Sequence, residues 1–209
     1  MSRTWTSRKR VETALAFKEP DRVPVDLPIT LVAYRRLREY LGLPEERDIK
    51  ANSFYEVNPS QDVLELLGID MVSIKLRKPQ QWSPPPPLPD GTEFDAWGVG
   101  RKEIDLPHGG HLKEVSHSPL AGLNADEIDL DAYPWPDPGD PGFTAGLEEE
   151  ARHLYEETDL ALLGRFGGTI METASYMRGF EQWLMDLVLY PDYSREFLEE
   201  MRDLETGCV

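Results

Sequence analysis

Apolar residues recur at helical spacing in several segments of the chain, and short apolar runs bounded by glycine or proline lie between these segments. The spacing over residues 31–41 is helical, whereas residues 69–76 and 160–166 form apolar runs of strand length. Strands that alternate with helices pair in parallel, because the intervening helix makes the crossover that a parallel neighbour requires. The alternation therefore predicts an α/β fold built on a parallel sheet.

The order of the elements follows from these segments and from their glycine and proline boundaries. Ser7 is the predicted cap of a first helix, which must end before Pro20. Residues 22–27 carry apolar side chains at alternate positions, which predicts a short strand. Further strands are predicted over residues 69–76 and 160–166, and further helices over residues 31–41, 60–67, 144–157, 169–178, 180–189 and from Pro191 onward.

The middle of the chain follows a different pattern. Residues 79–98 are rich in proline and contain the turn dipeptide Asp90-Gly91, so this stretch is not helical. Residues 99–105 and 111–117 then alternate loosely in polarity on either side of a Gly-Gly turn, which predicts a β-hairpin excursion. A second proline-rich loop is expected over residues 134–141.

Charge and composition exclude several classes of function. The net charge is -17, and an acidic chain repels the phosphates of nucleic acid. No apolar run approaches the roughly 20 residues that a membrane span needs. Cys208 is the single cysteine, which fits a reducing compartment, and the N-terminus has no apolar signal segment. We therefore expect a cytoplasmic protein with no nucleic-acid or membrane partner.

Four groups of segments together form a recognisable pattern along the chain. The segments are Arg10 to Val25; Leu67-Gly68-Ile69-Asp70; Asp95-Ala96-Trp97-Gly98 with Ser118-Pro119-Leu120 and Tyr133 to Pro138; and Phe166-Gly167-Gly168 with Glu172 to Gly179 and Asp186 to Asp192. In their order and spacing, more than in any one motif, these segments resemble the uroporphyrinogen decarboxylase superfamily, which includes methylcobalamin:coenzyme M methyltransferase-like members.

The resemblance implies a (β/α)8 barrel with its pocket at the carboxyl ends of the strands, where barrels of this kind carry their sites. A complete barrel has eight strands, and three are predicted here. We therefore expect residues 1–209 to form the N-terminal part of a partial barrel with the hairpin excursion, its C-terminal part lying outside this chain. A small complete α/β domain is the alternative.

The superfamily contains two chemistries that make different demands on the residues. One is decarboxylation of the acetate groups of a tetrapyrrole without a cofactor; the other is methyl transfer from a corrinoid to a zinc-bound thiolate. In the decarboxylases an arginine-rich loop follows the first strand, and a key aspartate ends the second. In this sequence the loop after the first predicted strand contains Asp26 and no arginine, and the end of the second predicted strand carries Arg77 in place of the aspartate. Asp26 and Arg77 are therefore candidate substrate-binding residues of a different branch.

The helix after the third predicted strand carries the candidate catalytic residues. Tyr176 matches a pocket tyrosine of the family, and Glu172 lies four residues earlier, on the same helix face. Gly167, Gly168 and Arg178 are candidate substrate-binding residues, since open backbone amides and a guanidinium can hold an anion. The alternatives are a packed tyrosine, a glutamate stabilised by the helix dipole and a plain turn.

No metal ligands are assigned in this sequence. In the family the zinc ligands lie in the second half of the barrel, so zinc is expected only in a longer protein, and none is needed for decarboxylation. Cys208 has no partner, and His108, His111 and His117 surround a turn. A zinc site there is an open alternative, because three histidines can bind the ion.

The leading hypothesis is a methyltransferase-like or uncharacterised member of the superfamily, transferring a methyl group to a thiol. Its substrate would be a small molecule, a tetrapyrrole or a corrinoid, with a corrinoid protein as a further partner. Uroporphyrinogen decarboxylase acting on tetrapyrrole acetate groups is the alternative. A non-catalytic, truncated binding protein is the third, and we expect the 209-residue chain itself to be inactive.

Overall fold

Helices and short strands alternate along the computed structural model, which describes residues 5–47, 49, 51, 56–107, 110–165 and 170–207. The described residues form helices and three small sheets, which confirms the predicted mixed α/β class. No closed barrel is present within these ranges. The chain divides into two units: Met1–Lys75, Leu106–Leu112 and Gly146–Arg165 form the first, and Leu76–Asp105, Lys113–Ala145 and Phe166–Val209 form the second.

The first unit contains four helices and two pairs of strands among its described residues. The helices are α1 (Ser7–Leu15), α2 (Leu31–Tyr40), α3 (Gln61–Leu67) and α4 (Leu147–Glu157), and the strands are β1 (Ile29–Thr30), β2 (Glu56–Val57), β3 (Met71–Lys75) and β7 (Ala161–Arg165). Thr6, rather than the predicted Ser7, caps α1: its Oγ1 accepts the N–H of Lys9 at 3.1 Å. Left-handed Gly42 follows the end of α2, and left-handed Gly68 caps α3.

The parallel pairing predicted from the alternation is confirmed for β3 and β7. Met71 lies opposite Ala161, and Lys75 lies opposite Arg165 at the carboxyl ends of the two strands. Helix α4 contacts both strands. The short strands β1 and β2 pair antiparallel, with Ile29 opposite Val57. Leu64, Ile69 and Leu160 form one apolar cluster of this unit, and Tyr34, Val57 and Val63 form another.

The strand predicted over residues 22–27 is wrong, because this segment forms no ladder. Val23 and Val25 are 79% and 40% exposed, so the alternating apolar residues do not face a core. Pro24 has no N–H to donate. Side-chain ion pairs hold this segment instead of the hydrogen bonds of a strand ladder. Its backbone also contacts residue 70, because the carbonyl of Val25 accepts the N–H of Asp70 at 2.8 Å.

Asp70, just before β3, is the polar centre of the first unit. Its carboxylate is fully buried and accepts hydrogen bonds from Arg10 and Arg22, each with a shortest distance of 2.6 Å. Asp70 Oδ2 also accepts the backbone N–H of Val25 at 2.9 Å. Arg10 in turn holds Asp21 through two hydrogen bonds of 2.6 and 2.8 Å. One buried carboxylate thus joins α1, residues 21–25 and β3.

The second unit contains a small sheet and three consecutive helices. The strands are β4 (Glu93–Phe94), β5 (Gly100–Asp105) and β6 (His111–His117), whose first residues belong to the first unit, and the helices are α5 (Ile170–Arg178), α6 (Phe180–Leu189) and α7 (Pro191–Gly207), with a 3-10 turn at Ala125–Glu127. The predicted hairpin strands are neighbours in the order β4-β5-β6, and β4 pairs antiparallel with β5. Residues 134–141 form a loop, as predicted.

Aromatic packing organises the core of the second unit. Trp183 and Phe197 are fully buried, and their rings meet edge to face with centroids 5.6 Å apart. Val99, Met177 and Met201 complete the buried centre. The outer side of α6 is apolar and solvent-exposed, since Phe180, Leu184, Met185, Val188 and Leu189 are between 45% and 78% exposed. Within the described chain, no helix is both long and apolar enough to cross a membrane.

Replacing Asp70 by asparagine should destabilise the first unit strongly. The substitution leaves Arg10, which is 4% exposed, without its buried counter-charge, and removing one partner of such a pair costs about 3–5 kcal/mol. Urea denaturation followed by circular dichroism measures the loss. Asp192→Asn is the matched control, because the Asp192 side chain is 95% exposed. Equal midpoints for the two variants would contradict the assigned role of Asp70.

The same carboxylate should make stability depend on pH in the acid range. Burial opposes ionisation of Asp70, but hydrogen bonds from Arg22, Val25, Ser7 and Arg10 outweigh it and hold its pKa below the ordinary value. A lowered folded-state pKa gives stability above the unfolded value of about 3.9, which is lost as pH falls through the folded value. The stability difference between wild type and Asp70→Asn should therefore be constant above about pH 5 and shrink below about pH 4. A difference independent of pH would refute this assignment.

Candidate functional site

Helix α5 brings the two predicted catalytic residues together in the second unit. Glu172 and Tyr176 lie one turn apart on one helix face, as predicted, and the Tyr176 hydroxyl donates to Glu172 Oε1 at 2.5 Å. Tyr176 is half-buried and Glu172 is exposed, so dissolved molecules can reach the pair. The pair offers one phenolic donor and one carboxylate acceptor at a single place.

The surroundings of Tyr176 keep its hydroxyl protonated at neutral pH. Burial raises the pKa of the phenol, and the hydrogen bond to Glu172 and the charge of that carboxylate raise it further. The positive charge of Arg101 acts in the opposite direction. The phenol is therefore a hydrogen-bond donor at pH 7, and the proton it shares with Glu172 is held mainly on the tyrosine.

Arg101 reaches this pair from strand β5. Its guanidinium carbon lies 4.7 Å from the centre of the Tyr176 ring, and its Nε lies 3.6 Å from Asp95 Oδ2. The Arg101 side chain is 8% exposed, so it supports the ring from the protein side. Asp95 is held by the backbone, because its Oδ1 accepts the N–H groups of Trp97 and Val99, both at 3.0 Å.

Burial acts in the same direction on Asp95 and on Tyr133, because it disfavours the charged form of both groups. Burial raises the pKa of Asp95, outweighing the hydrogen bond from Val99 and the charge of Arg101. Burial, followed by the negative charge of Asp95, raises the pKa of Tyr133 to about 12. The Tyr133 hydroxyl donates to the carbonyl of Trp97 at 2.7 Å, so this tyrosine closes the turn that carries Asp95.

The first unit has its own polar cleft at the carboxyl ends of β3 and β7. Arg165 Nη2 lies 3.1 Å from Asp26 Oδ2, and Lys75 Nζ lies 3.2 Å from Glu56 Oε2. Both ion pairs line the cleft, together with Asn58, whose amide donates to the carbonyl of Ser73 at 2.8 Å. Asp26 was predicted as a substrate-binding residue, and the structure places it at the end of the sheet where such residues are expected.

The cleft is small and its charges are balanced. Its enclosed space for the centre of a water molecule is about 20 Å³, which is room for one or two waters. Each of its two cations already faces a carboxylate at salt-bridge distance. A polyanion would have to displace both carboxylates before it met an open positive charge.

Arg178, predicted as a substrate-binding residue, is fully buried in the second unit. Its Nε donates to Asp186 Oδ2 and its Nη1 donates to the carbonyl of Leu120, both at 2.5 Å. The Asp186 carboxylate is also fully buried and receives a further hydrogen bond from Gln182 at 2.7 Å. This placement favours a structural role, since the guanidinium faces protein groups.

Of the remaining candidate substrate-binding residues, Arg77 lies in the part of the chain that the structure describes. Arg77 is exposed, and its backbone N–H donates to the carbonyl of Phe143 at 2.9 Å. Gly167 and Gly168 lie outside the described residues, as does His108. In the part of the chain that the structure describes, no three His, Cys, Asp or Glu side chains are grouped to hold a metal ion.

Sequence reasoning missed the cationic residues that the structure places beside the candidates. Arg101, Lys75 and Arg165 lie on strands whose sequences show only apolar or alternating patterns. For Lys75 and Arg165 a signal was available, because each ends a predicted parallel strand and so lies at the edge where sites form. For Arg101 no local signal exists, because its contact with Tyr176 spans 75 positions of the sequence.

The buried pair of Arg178 and Asp186 should respond differently to single and double replacement. Asp186→Leu alone should cost about 3–5 kcal/mol, because it leaves a buried guanidinium uncompensated. The double variant Arg178→Leu with Asp186→Leu should recover much of that loss, since no buried charge remains. Urea denaturation of the wild type, of Asp186→Leu, of Arg178→Leu and of the double variant measures this coupling. A double variant as unstable as the sum of the two singles would rule out a buried pair.

A comparison of the chain with protein-family models, with curated proteins and with solved structures found no significant match. The relationship to the uroporphyrinogen decarboxylase superfamily therefore stays an expectation that rests on the four groups of sequence segments. The chemistry of the pair formed by Tyr176 and Glu172, and of the cleft at β3 and β7, is independent of that relationship, since it depends on distances, burial and charge.

Proposed function

We propose that this chain is part of a (β/α)8-barrel enzyme resembling the methyltransferase-like branch of the uroporphyrinogen decarboxylase superfamily. Two features support the barrel. Strands β3 and β7 are parallel neighbours with α4 against them, which is the local arrangement of a (β/α)8 barrel. Charged side chains gather at the carboxyl ends of these strands, where barrel enzymes carry their sites.

The observation that carries the proposed chemistry is the 2.5 Å hydrogen bond between Tyr176 and Glu172 on an accessible helix face. Methyl transfer to a thiol requires that the thiol lose its proton before sulfur attacks the methyl carbon. In this proposal the Glu172 carboxylate accepts the thiol proton, and the Tyr176 hydroxyl orients that carboxylate through its hydrogen bond. The sulfur–carbon bond then forms as the carbon–cobalt bond of a methylated corrinoid breaks, and cobalt keeps the electron pair.

Charge balance favours this chemistry over tetrapyrrole decarboxylation. A tetrapyrrole with several acetate groups needs guanidinium groups that are open to its carboxylates. Arg165 and Lys75 each face a carboxylate of the protein, and Arg178 is buried. A corrinoid methyl group and a small thiol make no such demand. The methyl donor is free methylcobalamin or the same group carried on a corrinoid protein.

Uroporphyrinogen decarboxylase remains the second candidate, because Arg165 and Lys75 do lie at the strand ends where a substrate carboxylate would bind. Decarboxylation would require both to exchange Asp26 and Glu56 for substrate. Tight binding of uroporphyrin I by the wild-type chain, weakened by Arg165→Gln, would favour this candidate. Absence of both corrinoid and porphyrin binding would favour a non-catalytic binding protein.

Glu172→Gln should abolish most of the methyl transfer and leave the fold intact. The amide cannot accept the thiol proton, and loss of a general base costs roughly a hundredfold or more in rate. The assay uses the longer protein that we propose contains this chain, because the 209-residue chain itself is expected to be inactive. That protein is incubated anaerobically with methylcobalamin and a small alkyl thiol, and the reaction is followed by absorbance of the corrinoid and by mass spectrometry of the thioether.

Glu196→Gln is the matched control, because Glu196 is an exposed glutamate on α7, outside the proposed site. Equal rates for the two variants would exclude Glu172 as the base. No thioether with the wild-type form of the longer protein, together with release of carbon dioxide from uroporphyrinogen, would replace methyl transfer by the second candidate.

A further inference from the structure

Arg101 belongs to none of the segments that carry the family resemblance, yet its side chain is buried beside Tyr176, at 8% exposure. Its guanidinium faces the tyrosine ring on one side and Asp95 on the other. Asp95 is fixed in turn by two backbone N–H groups. A continuous set of contacts therefore leads from the turn after β4, through β5, to the hydroxyl on α5.

We propose that Arg101 is the positioning residue of Tyr176: its guanidinium, anchored by Asp95, holds the phenol ring against Glu172 and supplies the positive charge under the proton that the two share. The proposal deepens the proposed function and rests on it where catalysis is concerned. The geometric claim concerns Arg101 and Tyr176 alone and can be tested without any substrate.

The contact with the ring has the form expected of a stabilising cation–π interaction. A guanidinium within about 6 Å of an aromatic centre is attracted to the ring face, and more strongly where water is excluded. Here the separation is 4.7 Å and the Arg101 side chain is 8% exposed. Arginine is suited to this place, because its flat group can stack on the ring while an edge points to a carboxylate.

Charge gives Arg101 a second effect that simple packing would not have. The groups acting on the Tyr176 hydroxyl are Glu172 on its own helix and Arg101 on β5, with Asp95 behind Arg101. Glu172 opposes loss of the phenol proton, and Arg101 favours it. Arg101 thus partly offsets the rise in the pKa of Tyr176, so that the pair can exchange a proton with a bound molecule.

The test is the ultraviolet titration of Tyr176, obtained as the difference between each chain and the same chain carrying Tyr176→Phe. Arg101→Met should raise the pKa of this tyrosine by about one pH unit, because an adjacent cation is lost. Arg101→Lys should keep it closer to wild type, because the charge remains. Glu172→Gln should lower it, because a carboxylate is lost.

The outcomes separate positioning by charge from packing. An unchanged titration in folded Arg101→Met overturns the proposal, and so does an equal rise in Arg101→Met and Arg101→Lys. Arg101→Gln, which keeps a donor for Asp95, replaces the methionine variant if that chain does not fold. Failure of all three to fold would assign Arg101 to the fold and also overturn the proposal.

The same variants separate this proposal from the proposed function. If methyl transfer occurs, Arg101→Met should lower kcat with little change in KM for the thiol, and Arg101→Lys should restore part of it. If no methyl transfer occurs in the wild-type form of the longer protein but the titrations behave as expected, the proposed reaction fails while the positioning role stands. An unchanged kcat in Arg101→Met would contradict the catalytic part alone.

Discussion

A single buried carboxylate, Asp70, is the interaction on which the first unit depends. It lies just before β3 and accepts hydrogen bonds from Arg10 of α1, from Arg22 and from the backbone of Val25. Burying a carboxylate is unfavourable unless it is paired and hydrogen-bonded, and here two guanidinium groups satisfy that condition. Because these partners come from α1 and from residues 21–25, their geometry fixes where both segments lie against the parallel strands.

The second unit also contains a buried arginine–carboxylate pair, which lies in a different core. Arg178 and Asp186 form a fully buried pair between α5 and α6, and the carbonyl of Leu120 accepts a further guanidinium hydrogen bond. Around it, Trp183, Phe197 and Met201 supply the apolar burial that stabilises three helices. The ion pair adds little stability over an apolar replacement, but it requires one particular arrangement of α5, since any other leaves two charges unpaired. The face of α5 that carries Glu172 and Tyr176 is oriented in this way.

The chemistry available at α5 is proton transfer at an accessible tyrosine–carboxylate pair. Its donor and acceptor are close enough to share one proton, and Arg101 and Glu172 act on the phenol in opposite senses. The cleft at the ends of β3 and β7 is of a different kind, since its two cations and two carboxylates balance. A neutral or weakly charged substrate fits these features better than a polyanion does. This distinction supports methyl transfer as the proposed reaction and places decarboxylation second.

Local patterns in the sequence determined most of the elements of this protein. The helical spacing, the left-handed glycines after α2 and α3 and the apolar runs at β3 and β7 each express a preference of neighbouring residues, and the i, i+4 pairing of Glu172 with Tyr176 is likewise local. Only the tertiary structure decided the rest. Residues 22–27 have the alternating pattern of a strand but form no ladder. Pro24 has no N–H to donate, and hydrogen bonds from Arg22 and from the backbone of Val25 to Asp70 hold the segment instead. Arg178 was predicted to bind substrate, yet it is buried because Asp186 compensates its charge, and Arg101 contacts Tyr176 although 75 positions separate them in the sequence. Such contacts depend on which charged residues the fold brings together, and the spacing of neighbouring residues in the sequence does not predict these long-range contacts.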